Sequence, residues 1–450
     1  MSQSQTHDIA NILDDLLKKA KTKGADAADA VAATAISLSH EQRLGKMENL
    51  ERSEAHDLGL RVIIGKSQAI VSSNDWKPSA LEELLDRAIS MAKSVPEDPY
   101  IGLADPDQLF TGDIPDFETF DPVEPSAETL VERAKACEEA AMAVSGVTNS
   151  EGASASWGSA DIFMAASNGF SAGFKSSSHS VSVSVIAGEG TNMETDYDFS
   201  SKVWGSDLRD PKDVGRVAGE RAVKALNPRK GPTIKAPVIL DPRISQRMAG
   251  SLLSAINGSA IVRGTSFLKD KLGQQVMSKA ITLKEDPFRL RGYGSKAFDA
   301  EGLPTSQKNI VDEGILTTWI LDLRTSRRLG MESTGNASRG AASAPSPSST
   351  NTYIEAGELS PEELIKDIKA GFYVTSIMGH GANMVTGDYS QGASGFWIED
   401  GQISYPVNEM TIAGNLKDMF MEMTPASDLT FRFGTDAPTL RIEGMTIAGA

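Results

Sequence analysis

The chain has 450 residues, 40% of them hydrophobic and 23% charged, with a formal net charge of −17. That length exceeds one ordinary domain, so two or three domains with sizeable cores are expected. The charge disfavours nucleic acid, whose affinity rests on neutralised phosphates. No apolar run is long enough to span a membrane, and the polar N-terminus does not read as a secretory signal. Cys137 is the only cysteine, so neither an intrachain disulfide nor a thiolate metal cluster can form. A cytoplasmic location is expected. The short basic groups, Arg324 with Arg327 and Arg328, and Lys224 with Arg229 and Lys230, read as solvated charges.

Helical spacing of Ile9, Ile12, Leu13, Leu16 and Leu17 predicts a first helix over residues 9–23, stopped by Gly24. Small and β-branched residues over 27–38 predict a strand. Residues 58–73 read as a hairpin turning at Gly65 and Lys66. Leu81, Leu84, Leu85, Ala88 and Ala92 place a second amphipathic helix over 79–94. Six prolines then break residues 95–125 into a long surface connection packed against its domain. Ser126 is a good N-cap for a helix reaching about residue 144. Glu128 suits the positive end of its dipole, but Thr129 denies it a full capping box. Two strand runs, 161–167 and 170–176, flank Asn168-Gly169 and predict a type I′ hairpin. Residues 179–187 alternate valine with serine, and a helix follows over 211–226.

These elements predict an α+β fold whose N-terminal domain, residues 1–226, is an antiparallel sheet with flanking helices. The polar, proline-bearing segment 227–232 is the boundary. Residues 233–450 form a β-rich, barrel-like C-terminal domain. Its strands are predicted at 237–240, 315–321, 396–399, 403–405 and 440–442, with helices after Asp241, Thr325 and Ser360. The low-complexity stretch 341–349 predicts a mobile loop.

Three stretches of the second half carry a family signature. The first is Arg263-Gly264-Thr265-Ser266, with Gly273 after it. The second runs from Phe298-Asp299-Ala300-Glu301-Gly302 to Ser333-Thr334-Gly335-Asn336. The third holds Gly379-His380-Gly381-Ala382-Asn383, then Thr386-Gly387-Asp388-Tyr389-Ser390, and closes near Thr411–Met419. In this order and spacing they resemble the PmbA/TldE branch of the TldD/TldE family. The resemblance implies an α+β N-terminal domain and a barrel-like C-terminal domain. It also implies a TldD-type partner that encloses a cavity with this chain. That partner carries zinc on a His-Glu-x-x-x-His helix, with a distant cysteine. The pair cleaves extended or unfolded peptides and matures peptide antibiotics.

A catalytic zinc needs about three protein ligands and a carboxylate to take a proton from water. The matching helix here begins at Asp241-Pro242 and ends near Asn257-Gly258. Alignment on Arg263–Ser266 puts the family's ligand and base positions at Ala249, Gly250 and Ser254. No His, Asp, Glu or Cys follows Asp241 in that helix, and residues 424–439 hold no Cys. No cofactor is therefore expected in this chain, and zinc is expected in the partner. Of five histidines, His7, His40, His56 and His179 read as surface or packing residues. His380 stands in the glycine-rich motif. His380, Asn383, Gly387, Asp388, Tyr389 and Ser390 are candidate peptide- or partner-contact residues, in a segment that reads as turn-forming. The leading reading is a non-catalytic subunit, dimeric with its partner or with itself when isolated. The alternatives are a self-sufficient hydrolase near His380 and a protein-binding regulator.

Overall fold

The computed structural model describes residues 3–379 and 381–449, with side chains from residue 9 onward. Helix α1 (Gln3–Thr22) leads into β1 (Ala27–Arg43), β2 (Lys46–Ile64), β3 (Ser67–Ser73) and α2 (Pro78–Ala92). After a long strap come α3 (Ala127–Met142), β4 (Val147–Ala166), β5 (Ser171–Ala187), β6 (Glu194–Lys202) and α4 (Pro211–Lys224). The strands form one six-stranded antiparallel sheet in the order β3-β2-β1-β4-β5-β6.

The period-two alternation of these strands gives the sheet two faces. One face takes the helices. Leu13 and Leu16 of α1 and Leu84, Leu85 and Ala88 of α2 close over Leu58, Leu60 and Val62 of β2. Leu130, Ala134 and Cys137 of α3 and Val214, Ala218 and Ala222 of α4 close over Trp157, Val181, Val183 and Val185. The two helices touch backbone to backbone: a methyl on Gly215 would lie 2.0 Å from the Cys137 carbonyl. Burial pushes the Cys137 thiol up to about 12, so it is inert packing. Ser126 caps α3 by accepting from the Thr129 amide, as its position suggested.

The second half opens with β7 (Ile234–Leu240), α5 (Pro242–Ala255) and α6 (Gly258–Arg263). Short elements follow: β8 (Leu283–Glu285), β9 (Lys308–Asp312), β10 (Ile315–Leu316), α7 (Leu323–Leu329), β11 (Ala337–Ser338), β12 (Ser346–Pro347), β13 (Thr352–Ile354) and α8 (Pro361–Ile365). The last group is β14 (Ala370–Met378), β15 (Asp388–Glu399), β16 (Gln402–Asn415), α9 (Leu416–Met421), β17 (Met423–Pro425), β18 (Thr435–Asp436) and β19 (Leu440–Ala448). Strands β16-β15-β14-β7-β19 run in that order, and β16 pairs again with β19, which closes a five-stranded barrel. Met248 and Leu252 of α5 enter its core beside Phe372, Trp397, Ile412 and Ile442. The α+β architecture with a barrel in the second half agrees with expectation.

Five local expectations need correction, and the expected end of α5 near Asn257 gains a further role. Asn168 has an ordinary φ and only Gly169, at +101°, is left-handed, so the turn is not type I′. The Ala166 amide instead donates to the Phe170 carbonyl at 2.9 Å around a longer loop. The strand expected over 315–321 ends after Leu316; beyond it the Leu321 amide donates to the Thr334 hydroxyl, and Ile320 makes only an isolated bridge to Asn257. Asn257 does not merely stop α5: its side chain accepts from the Ser259 amide and starts α6. The stretch 341–349 is pinned rather than free. Ser346–Pro347 pairs with β11, and the Ala341 carbonyl sits where a methyl on Gly59 would be, 1.9 Å away.

Asp388, Tyr389 and Ser390, expected in a turn, open strand β15. The basic groups are not simply solvated. The Arg327 guanidinium donates to the carbonyls of Tyr100, Gly102 and Leu103, and Arg324 to Asp98. They clamp the 95–125 strap onto the second half. Lys224 and Arg229 lie over the rings of Phe396 and Tyr405.

The other face of the N-terminal sheet meets the second half. Phe298 packs on Val31, Met164 and Phe170. Below it Arg339 reaches across to Asp29, which also accepts from Arg61 Nε at 2.8 Å. The free edge of β2 over residues 46–57 is paired only to β1. A bulge near Glu48 and the exposed Glu51, Arg52 and Glu54 guard it against strand addition.

Candidate functional site

A cavity of about 460 Å3 lies where β6 and α4 of the first half face α5, β14, β15 and β16 of the second. Its size suits a small ligand or a short chain segment. The floor is an interrupted ladder. Val374 pairs with Gly395 and Ser376 with Ser394, so Thr375 bulges from β14. The β15–β16 register slips between Ala393 and Gly395, opposite Asn408 and Glu409, and Glu409 takes φ +53°. A methyl on Gly395 would lie 2.0 Å from the Tyr373 carbonyl, which is why glycine stands there. Bulges of this kind re-aim side chains and mark sites in many sheets. Here they present the hydroxyl side chains of Thr375, Ser376 and Ser394 to the cavity.

The walls carry charge. Arg243 Nη1 donates to Asp196 at 2.8 Å and its Nε to Asp241 at 3.3 Å. Asp241 also caps α5 by accepting from the Arg243 amide, and it accepts from the Tyr373 hydroxyl at 3.2 Å. Burial, then the neighbouring Asp241, pushes the Tyr373 phenol up. Burial also raises the Glu194 carboxyl, and the Asn408 amide donating to it at 3.2 Å only partly offsets this. Arg221 is held by Asp198 at 3.0 Å. Lys224 and Arg247 line the cavity without a carboxylate partner among the described residues.

The three positions matched to the zinc helix do not converge. Ala249 is fully buried in the barrel core, Gly250 is half-buried, and Ser254 is exposed with its hydroxyl donating to the Gly250 carbonyl at 2.8 Å. None of the three lines the cavity, which meets α5 only at its N-terminal half. A methyl, a hydrogen and a self-bonded hydroxyl do not fit a zinc ion. Among the described residues no group of three His, Cys, Asp or Glu side chains could hold a metal.

His380 lies outside the described residues. The rest of its motif is built from internal bonds. The Asn383 side chain accepts from the amides of Val385 and Thr386. Gly387 takes φ +87°, and a methyl there would meet the Asn415 side chain at 2.7 Å. The Thr386 hydroxyl donates to Asp388 at 2.7 Å, and the Asn415 amide to Asp388 at 3.1 Å. Tyr389 is a core residue whose hydroxyl donates to Gln391 at 2.8 Å, and burial pushes it up to about 12. Ser390 is exposed, and its amide donates to Gly381. Gly387 and Tyr389 are therefore closed to any partner. Asn383, Asp388 and Ser390 remain on the surface.

Of the other histidines, His7 lies outside the described side chains, and His56 packs edge-on against Trp76. His40 is buried beside Gln42, and His179 is buried 3.2 Å from Asp121. Burial, with Arg133 nearby, lowers the His179 imidazole more than Asp121 raises it. The junction cavity itself was not foreseen. Its lining is drawn from six separated stretches of chain, and the sequence signal that could have found it is the glycine-serine run before Phe396.

Three family models match in succession: PmbA/TldA metallopeptidase domain 1 over residues 28–92, the central domain over 120–226 and the C-terminal domain over 233–449. Metalloprotease PmbA of Escherichia coli O157:H7 is 37% identical over 426 residues, covering 94% of this chain and 92% of that one. A Metalloprotease PmbA homolog of Haemophilus influenzae is 35% identical over 428 residues, covering 94% and 93%. Among solved structures, a candidate modulator of DNA gyrase from Bacteroides thetaiotaomicron superposes with TM-score 0.91 at 27% identity, covering 98% of each chain. TldE from Thermococcus kodakarensis shares the fold, with TM-score 0.87 at 22% identity over 97% of this chain and all of that one. On these matches the chain belongs to the PmbA/TldD metallopeptidase family.

Proposed function

We propose that this chain is the non-catalytic, TldE-type subunit of a two-chain metallopeptidase that acts on extended or unfolded peptides, including peptides awaiting maturation. A TldD-type partner supplies the zinc and the group that takes a proton from water. This chain completes the cavity and helps to hold the peptide. It works in the cytoplasm and binds neither nucleic acid nor membrane; no helix among its described residues is long and apolar enough to cross one.

One observation carries the reading. The helix that would bear the metal presents Ala249, Gly250 and Ser254, one in the core and one in solvent, with no carboxylate or imidazole along it. The family assignment supplies the reaction class. The bulged, charge-bearing edge of β2 disfavours peptide capture by strand addition there, and the size of the junction cavity supports it as the place to hold a substrate.

The test is reconstitution. Purified chain and a TldD-type partner are assayed separately and mixed, on an unstructured peptide. Cleavage is expected only in the mixture, and the zinc should travel with the partner. Peptide hydrolysis by this chain alone, with stoichiometric zinc bound to it, would sink the reading.

A further inference from the structure

We infer that the junction cavity is a carboxylate-selective peptide site, in which Lys224 and Arg247 receive an acidic side chain or the C-terminal carboxylate of an extended peptide. The inference rests on the peptide-handling reading above and names the kind of peptide held.

The argument starts from which charges are already spent. In a chain of net charge −17, this cavity is lined by two lysine-or-arginine groups with no acidic partner among the described residues. Every carboxylate beside them is engaged. Asp196 is tied to Arg243, and Asp241 to Arg243, to the α5 amide it caps and to Tyr373. Glu194 is bonded by Asn408 and held toward its neutral form by burial. Arg221 and Arg243 have their acids, so the surplus positive charge belongs to Lys224 and Arg247. Lys224 lies over the Phe396 ring, 4.9 Å from its centre, which orients an otherwise free ammonium. An anion entering the cavity can make a charge-assisted contact with either group without breaking an existing pair.

The floor explains why the anion should belong to a peptide. The slipped register at Thr375 and Ser394 presents hydroxyl groups from the barrel wall, which can donate to or accept from an extended main chain. The cavity, at about 460 Å3, holds only a few residues. A terminal or near-terminal acidic group therefore matches it better than the middle of a folded chain.

The experiment measures anisotropy of a short fluorescein-labelled, glutamate-rich peptide on the purified full chain. The controls are its C-terminally amidated form and a form with glutamine replacing glutamate. Lys224→Gln and Arg247→Gln should each weaken binding about tenfold, as expected for loss of a hydrogen bond to a charged group. Lys224→Arg should retain it. Both side chains are exposed, so the variants should keep the circular dichroism of the parent. The amidated and the glutamine peptides separate the two sources of the carboxylate. Weakening by either modification supports the site. Equal binding of a peptide carrying both modifications, or of the acidic peptide by both variants, overturns it. Reconstituted cleavage with the partner is scored separately. Cleavage that survives while the variants bind normally sinks this inference alone. Carboxylate-dependent binding without reconstitution sinks the subunit reading alone.

Discussion

The two halves of the molecule are built by opposite logic. In the first, nearly every strand pairs with its neighbour in sequence, and the sheet order β3-β2-β1-β4-β5-β6 departs from chain order only where β1 meets β4. Alternation and turn residues suffice to write such a sheet. In the second, β7 pairs with β14 in parallel and with β19 antiparallel, and the barrel shuts only when β16 reaches β19. No local pattern encodes those contacts. They depend on glycines that let backbones touch and on bulges that bend the wall. The difference teaches where to look for function. The regular sheet is scaffold, whereas the cavity sits at the irregular wall of the barrel, where it meets that scaffold.

The sharpest way to break this picture is at the seam between the halves. Asp29 of the sheet is shared by Arg61 and by Arg339 of the second half. Asp29→Ala leaves two buried guanidiniums unpaired and should cost about 3–5 kcal/mol in urea denaturation. Burial pushes the Asp29 carboxyl up, but the two arginines outweigh it and hold it below the usual range. Its stabilisation is therefore complete above its unfolded value and disappears as the pH falls through the depressed native one. The variant should match the parent in acid and fall behind it at neutral pH. Equal losses at both would remove the ion pair from the explanation.

Glu301 provides the opposite sign at the same seam. Burial, with Asp299 nearby, raises its carboxyl to about 8. The unfolded chain releases this proton near the ordinary carboxylate range, while the native chain keeps it until about 8. The native state therefore loses stability progressively between those limits. Glu301→Gln keeps the acceptor for the Leu323 amide and should gain on the order of 2 kcal/mol at pH 8, with no gain in acid. The side chain is not wholly shut from solvent, so the full linkage value is not expected. Urea midpoints at two pH values measure it; a gain that does not grow with pH contradicts the assignment.

A third contrast sets the barrel wall against a hairpin turn. Gly395→Ala forces a methyl onto the Tyr373 carbonyl and should cost about 3 kcal/mol. Gly169→Ala has open space and pays only for its left-handed φ, about 1 kcal/mol. Thermal denaturation of the pair should rank them in that order. The smallest effect belongs to Ser254→Ala. This exposed hydroxyl bonds only its own helix, and its loss should change stability by less than about 0.5 kcal/mol. It should also leave cleavage by the reconstituted pair unchanged; a large fall in kcat would give α5 a chemical role.

By itself, the sequence determined the elements whose information is local. Helices α2, α3, α4 and α5 are legible from apolar spacing and from caps such as Ser126 and Asp241, and residues 179–187 of β5 from their valine-serine alternation, though not that they continue the run 170–176 as one strand. It also determined the chemistry that α5 lacks, because an absent imidazole or carboxylate needs no fold to be noticed. Only the tertiary structure decided that Tyr389 is core, that Arg327 clamps the strap, and that Lys224 and Arg247 share a cavity. Those facts turn on burial and on contacts between residues far apart in the chain. A charge reads as solvated until a second surface is brought against it, and nothing along one stretch of polypeptide says which surface that will be.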